Sequence, residues 1–207
     1  MGGRHLTTEE RRIELAHGSW LDHYPNAFAA MSDAWMAALV KELSWHEESY
    51  SMFGRTVLAP RLVAWHGDAE ARYRYSGVEH TPMPWTERLS TVRSAVQRKT
   101  GLAFNAVLAN WYRHGADRMG WHTDRERELG PTADDRQIAS LSLGGRRRFL
   151  LRNEGTREVH EFVLGRGDLL VMRGATQEMY KHSIPKTTKE IAPRMNLSFR
   201  CVIPTLD

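Results

Sequence analysis

The spacing of apolar positions changes part-way along the chain. Between Ser32 and Leu43, the residues Trp35, Met36, Leu39, Val40 and Leu43 recur at the interval of a helix with one buried face. The segment Trp85–Lys99 repeats that pattern with Leu89, Val92 and Val96 inward, after the breaker Pro82-Met83-Pro84 and before a stop at Gly101. Thr8–Arg12 resembles the first turn of a further helix, so the first third is predicted to be largely helical. Between the helices, the stretches 50–55, 60–67 and 72–77 mix large apolar side chains with arginines and predict short strands joined by Gly-containing turns. From Phe104 onward the period is two. The segments Ala106–Tyr112, Ile138–Leu143, Arg148–Arg152, Glu158–Leu164, Asp168–Met172 and Arg194–Ile203 read as strands, with turn signals at Gly144-Gly145 and Gly165–Gly167. Helices first and short strands second predict a mainly β fold, a sandwich or barrel with flanking helices outside. One domain is expected over 1–207, with the helical part in 1–103 and the β core in 104–207.

Composition narrows the function classes. The 207 residues are 41% hydrophobic and 26% charged, as in an ordinary globular protein, which excludes disordered and collagen-like chains. Cys201 is the single cysteine, so an internal disulfide or a cysteine-rich zinc site is excluded, and a reducing, cytoplasmic setting is expected. Any metal must be held by His, Asp or Glu. The N-terminal run Met1–Arg12 has no apolar signal region and no stretch approaches the length of a membrane span, so no membrane partner is expected. With 29 Lys+Arg against 25 Asp+Glu, the net charge of +4 suits a polyanionic partner without requiring one. The run Arg146-Arg147-Arg148, after a Gly-Gly turn, suits either phosphate contacts or a solvated turn.

Three His-x-acid triplets occur, at His46, His66 and His122, where chance alone gives about one from ten His and 25 acids. A facial triad of two His and one carboxylate holds a non-haem iron on one side only, and it needs a second His supplied by the fold. His122 and Asp124 lie two apart at a strand end, and His182 is expected just after another strand. The last strand sharpens the choice: with a period of two, Arg194, Asn196, Ser198 and Arg200 share a polar face, while Met195, Leu197, Phe199 and Cys201 share an apolar one. Such a polar face suits either water or a barrel interior in which a guanidinium grips a dicarboxylate. Asn110 and Tyr112 share a face of an earlier strand in the same way.

The order Asn110-x-Tyr112, His122-x-Asp124, His182 and Arg194-x-Asn-x-Ser-x-Arg200 resembles the signature of the AlkB family of Fe(II)- and 2-oxoglutarate-dependent nucleic-acid dealkylases, over about Pro60–Pro204. The resemblance implies a double-stranded β-helix, or jelly-roll, core with N-terminal helices and a nucleotide-recognition lid. It implies iron on His122, Asp124 and His182. It also implies 2-oxoglutarate held by Asn110, Tyr112, Arg194, Asn196, Ser198 and Arg200, with Arg200 on the distal carboxylate. The triplets at His46 and His66 are then ordinary structural residues.

The same resemblance extends to the substrate. It implies oxidation of an N-alkyl carbon by dioxygen and 2-oxoglutarate, with release of formaldehyde, succinate and carbon dioxide, on bases such as 1-methyladenine and 3-methylcytosine in DNA. The residues from Pro60 to Gly67 and from Tyr73 to Gly77 look like the lid of the animal repair members: Tyr75 would stack on a flipped base opposite His122, while Arg61, Tyr73 and Ser76 line the pocket. Phe53, in Met52-Phe53-Gly54, resembles the finger that replaces a flipped base in duplex-acting relatives. Glu126 matches an acidic pocket residue, whereas the position after the metal Asp, often acidic in close relatives, is Arg125. A monomer in the cytoplasm, or in the nucleus of a eukaryotic source, is expected. Kept beside this reading are an RNA demethylase or tRNA-modifying hydroxylase of the same chemistry, a hydroxylase of a small molecule or protein, and a non-catalytic nucleic-acid-binding protein.

Overall fold

The structure is a computed structural model that describes residues 10–52, 55–75 and 78–203, with the side chains of 50–56 and 73–80 outside the description. In chain order its elements are β1 (Arg11–Glu14), β2 (Ser19–Tyr24), α1 (Ala29–Glu42), β3 (His46–Met52), β4 (Arg55–Gly67), β5 (Tyr73–Tyr75), β6 (Val78–His80), α2 (Glu87–Thr100), β7 (Ala106–Tyr112) and β8 (Met119–His122). There follow β9 (Ile138–Gly144), β10 (Arg147–Asn153), β11 (Val159–Leu164), β12 (Leu169–Gly174), the short α3 (Thr176–Met179), β13 (Tyr180–Ile184) and β14 (Arg194–Arg200).

An eight-stranded antiparallel sheet runs β1-β2-β12-β9-β14-β7-β4-β3, and a four-stranded sheet runs β11-β10-β13-β8. Alternation divides the large sheet into two working faces. Leu141 and Leu143 of β9, Leu169 and Val171 of β12, and Met195, Leu197 and Phe199 of β14 pack with Trp35 and Leu39 of α1 and Leu89, Val92 and Val96 of α2. The intervening residues face the small sheet, where Leu170, Met172 and Tyr112 join Phe149, Leu151 and Ile184 in a second core. Two opposed antiparallel sheets with helices on one outer face are a jelly-roll core, as expected.

Helix α2 begins where Thr86 caps it, its side chain accepting from the Leu89 amide at 3.1 Å, and ends on Gly101 in the left-handed region at φ 71°. The helix expected from Ser32 starts earlier, at Ala29, and the Ser32 hydroxyl is engaged elsewhere, accepting from the Gly144 amide at 3.1 Å. The helix expected at Thr8 is corrected. Within the described residues the chain instead forms the hairpin β1–β2, turning through His17 and Gly18 at positive φ and pairing with β12, so sheet extension overrides a helix-like first turn.

Strand β4 carries the irregularity that matters for the site. Glu47 pairs with Leu62 but Ser49 pairs with Leu58, so Ala59, Pro60 and Arg61 of β4 stand opposite the single residue Glu48. Pro60 has no amide hydrogen to give the ladder, which makes this the natural place for a bulge. Among the described residues no helix is long and apolar enough to cross a membrane.

Candidate active site

Strand pairing assembles the metal-ligating cluster. In the β13–β8 register His182 is the direct cross-strand partner of His122, and their rings lie 4.1 Å apart. His182 thus sits inside β13, not after a strand as its sequence context predicts. Asp124 follows β8 by two residues, and its turn is fixed by the buried Gln177 of α3, whose Oε1 accepts from the Asp124 amide at 3.0 Å while its backbone carbonyl accepts from the Thr123 hydroxyl. One ligand atom from each of His122, Asp124 and His182 lies within 4.8 Å of the others.

The protonation states suit a cation. His122 Nδ1 is 2.9 Å from the Gly120 carbonyl and so must donate to it, which leaves Nε2 as a lone-pair donor. Burial, joined by the neighbouring His122, lowers the His182 pKa to about 3, so its ring is neutral. Burial alone would raise the Asp124 pKa, but the adjacent Arg200 guanidinium, joined by His182, His122 and Arg61, brings it to about 2. The cluster therefore presents two imidazoles and one carboxylate.

The cluster opens into a cavity of about 480 Å³ between the sheets. Arg194, Asn196, Ser198 and Arg200 of β14 are buried and line it, as do Asn110 and Tyr112 of β7. Arg194 is 1% exposed. Its Nη2 donates to Ser142 Oγ at 2.7 Å and Asn196 Oδ1 at 2.9 Å, and its guanidinium stands 5.6 Å from the Tyr112 ring, yet its Nε and Nη1 have no hydrogen-bond partner among the described residues. A buried charge in that condition is costly unless an anion completes it. Arg200, at the other end of β14 and about 20 Å of strand away, places its Nη2 3.1 Å from Asp124 Oδ1.

A model of the 2OG-Fe(II) oxygenase superfamily matches residues 20–200. The chain is 31% identical to the DNA oxidative demethylase ALKBH2 of Arabidopsis thaliana, over 93% of this chain and 69% of that protein. The chain belongs to the AlkB family of 2OG-Fe(II) oxygenases. It is 41% identical over 162 residues to mouse DNA oxidative demethylase ALKBH2 (74% of this chain, 66% of that one) and 34% identical over 192 residues to human alpha-ketoglutarate-dependent dioxygenase alkB homolog 3 (87% and 65%). This AlkB-family chain spans 57–66% of the length of the mammalian ALKBH2 relatives. The solved structure of OsALKBH1 shares the fold at a TM-score of 0.63 and 16% identity, covering 92% of this chain and 100% of that one.

The residues fit the cofactor and co-substrate of the family, iron(II) and 2-oxoglutarate. Three convergent ligand atoms suit a divalent cation, and a buried guanidinium with two unsatisfied nitrogens suits a carboxylate.

Placement corrects several expectations. The resemblance puts Arg200 on the distal carboxylate of the co-substrate, but strand length sets it at the metal end against Asp124 and leaves Arg194 at the far end. Arg125 is exposed and absent from the cavity lining, whereas Glu126 lines the cavity. The triplet at His46 is no ordinary structural feature, since His46, Glu47 and Glu48 line the cavity too, while His66 keeps a structural role on the Pro84 carbonyl at 2.8 Å. Arg61 is buried in the cavity wall, donating from Nε to Asn110 Oδ1 at 2.7 Å and from Nη2 to Glu48 Oε2 at 2.9 Å. Phe53 and Ser76 lie outside the described residues, as do the side chains of Tyr73 and Tyr75. Sequence reasoning misses Gln177, Glu48 and Arg147. Arg147 donates to the carbonyls of His114, Asp117 and Pro185 and lies 5.6 Å from the Tyr112 ring. The basic run that contains it signals phosphate binding or a solvated turn, not a buried brace.

Proposed function

We propose that the chain is an iron(II)- and 2-oxoglutarate-dependent dioxygenase that removes N-alkyl groups from bases of DNA. The observation that carries this reading is the pairing, within one cavity, of an open two-histidine, one-carboxylate cluster with a buried, half-satisfied Arg194. The names of the mouse and Arabidopsis relatives support DNA as the substrate class. When bound, iron and 2-oxoglutarate supply with dioxygen the oxidation of an N-alkyl carbon, giving succinate, carbon dioxide and, after collapse of the hydroxymethyl adduct, formaldehyde and the restored base.

The chain's own residues supply order and dryness. His122, Asp124 and His182 hold the metal, with Gln177 and the Gly120 carbonyl fixing the orientation of two of them. Arg194 and Tyr112 take the distal carboxylate. Burial raises the Tyr112 pKa, so the phenol keeps its proton and donates. Because Asn110 Oδ1 is occupied by Arg61, the amide NH₂ is the end left for a ligand oxygen. Arg200 keeps Asp124 ionised and aligned. Phe149, stacked 5.5 Å from the His182 ring, and Met172 supply apolar walls that limit bulk water. Tyr73, Tyr75, Ser76 and Glu126 are proposed to receive the flipped base, and Phe53 to fill the space it leaves in a duplex.

The test is incubation with iron(II), 2-oxoglutarate and DNA oligonucleotides carrying 1-methyladenine or 3-methylcytosine. Mass spectrometry should show the loss of one CH₂ unit, with stoichiometric succinate. Turnover confined to the matching ribo-oligonucleotides would move the substrate to RNA, and no turnover on either would reject the reading.

A further inference from the structure

The cavity poses an electrostatic problem for a base that carries positive charge. Arg61, Arg194 and Arg200 are all buried in its wall, and the Asp124 carboxylate is engaged by Arg200. Arg125, in the position next to Asp124, is exposed and outside the lining. The carboxylates left in the wall are Glu126, beyond β8, and the neighbours Glu47 and Glu48 of β3.

We propose that Glu48 is a specificity-determining residue that receives the positively charged, amine-bearing edge of an alkylated base. This rests on the reading that the substrate is such a base. Three observations converge on it. The bulge at Pro60 sets Glu48 alone opposite Ala59–Arg61, out of the regular ladder, an irregularity of the kind that re-aims side chains beside active sites. Glu48 lines the cavity with a side chain 35% exposed, so a ligand entering from solvent can reach it. Its Oε2 is fixed by the buried Arg61 at 2.9 Å, and its second oxygen retains acceptor capacity. A fixed, half-buried carboxylate attracts a delocalised cation and accepts from an exocyclic amine, and it repels the carbonyl oxygen that a neutral base offers at the same position. The same Arg61 holds Asn110, so the base pocket and the co-substrate pocket share one positioning side chain.

Two lesions isolate the effect. 3-Methylcytosine is cationic at neutral pH and carries an exocyclic amine, whereas 3-methyluracil has nearly the same shape, is neutral and carries an oxygen there. Glu48→Gln keeps an acceptor for Arg61, removes the charge and replaces the second acceptor oxygen by an NH₂ donor. Affinity is measured by fluorescence anisotropy on single-stranded oligonucleotides bearing one of these bases, using protein with 2-oxoglutarate and with manganese(II) in place of iron, so that no turnover occurs. Wild-type protein should favour 3-methylcytosine by about tenfold, the scale of one hydrogen bond to a charged group. Glu48→Gln should bring the ratio close to one by weakening 3-methylcytosine binding without weakening that of 3-methyluracil, and Glu48→Asp should retain the preference. An equal loss on both bases, or an unchanged ratio, overturns the role of Glu48 and leaves it only as a brace for Arg61. Wild-type binding no tighter to either lesion than to the unmodified strand would instead remove the proposed substrate, and the role of Glu48 with it.

Discussion

Replacing Arg194 by methionine should leave the ligand-free protein near wild-type stability and abolish its response to 2-oxoglutarate. Arg194 is buried, and that burial lowers its pKa below the ordinary guanidinium range, to about 10. The fall corresponds to roughly 3 kcal/mol of disfavour for the charged form relative to the unfolded chain. The sign follows from linkage. Between about pH 10 and the ordinary guanidinium range the unfolded chain binds the proton and the folded one does not, so stability rises with pH there, and at neutral pH the full cost is present. Methionine removes that cost but also two hydrogen bonds from a charged donor, to Ser142 and Asn196, each about 1.5 kcal/mol. The two contributions nearly cancel, so the melting temperature of the ligand-free variant should stay within about 4 °C of wild type in a chain of this size. Wild-type protein gains stability when 2-oxoglutarate completes the guanidinium, while Arg194→Met should gain none. Thermal denaturation of metal-free protein, then of manganese-loaded protein with and without saturating 2-oxoglutarate, measures both effects. A melting temperature for ligand-free Arg194→Met lower than wild type by much more than that, or a 2-oxoglutarate shift equal to that of wild type, would refute the assignment of Arg194 as an anion site.

His122→Ala, Asp124→Ala and His182→Ala should each remove turnover and weaken manganese binding by about tenfold or more, with circular dichroism spectra unchanged; tight metal binding by one variant would take that residue out of the cluster. Arg200→Ala removes the partner 3.1 Å from Asp124 and should weaken metal affinity more than 2-oxoglutarate affinity, with Arg200→Lys recovering most of the loss; calorimetry on both ligands separates the two. Arg147→Met leaves the carbonyls of His114, Asp117 and Pro185 without their donor and should lower stability by about 2–4 kcal/mol, read as a drop in denaturation midpoint. Phe53→Ala should impair repair of a lesion in duplex DNA while sparing the same lesion in a single strand, and equal losses on the two would show that Phe53 is not a wedge.

The β core is legible in the sequence because its strands are short apolar or alternating runs set off by turn residues, and the observed β7, β9 and β14 begin at the expected residues. The N-terminal hairpin is not. Arg11–Glu14 is short and mostly charged, and its strand conformation comes from pairing with β2, which is itself fixed by the distant β12. No local pattern carries such information, because the pairing joins Ser19–Tyr24 to Leu169–Gly174 across most of the chain. Helix α1 illustrates a smaller version of the same effect. The apolar repeat that marks it is read from Ser32 onward, yet the helix begins at Ala29, and the Ser32 hydroxyl accepts from the distant Gly144 amide.

Motif order locates the iron cluster and the arginine strand, but it does not assign work within them. Arg194 and Arg200 look equivalent on one face of a strand. What separates them is the partner each one meets: Ser142, Asn196 and the Tyr112 ring for the first, and the carboxylate of Asp124 for the second. Glu48 is hidden for a different reason. Its triplet is of a kind that chance supplies, and nothing around it in the sequence marks a site. Its placement is decided on the neighbouring strand, where Pro60 cannot join the ladder and the resulting bulge turns Arg61 toward both Glu48 and Asn110. A backbone defect that would count against a strand in isolation is thus what brings two parts of the cavity wall onto one guanidinium.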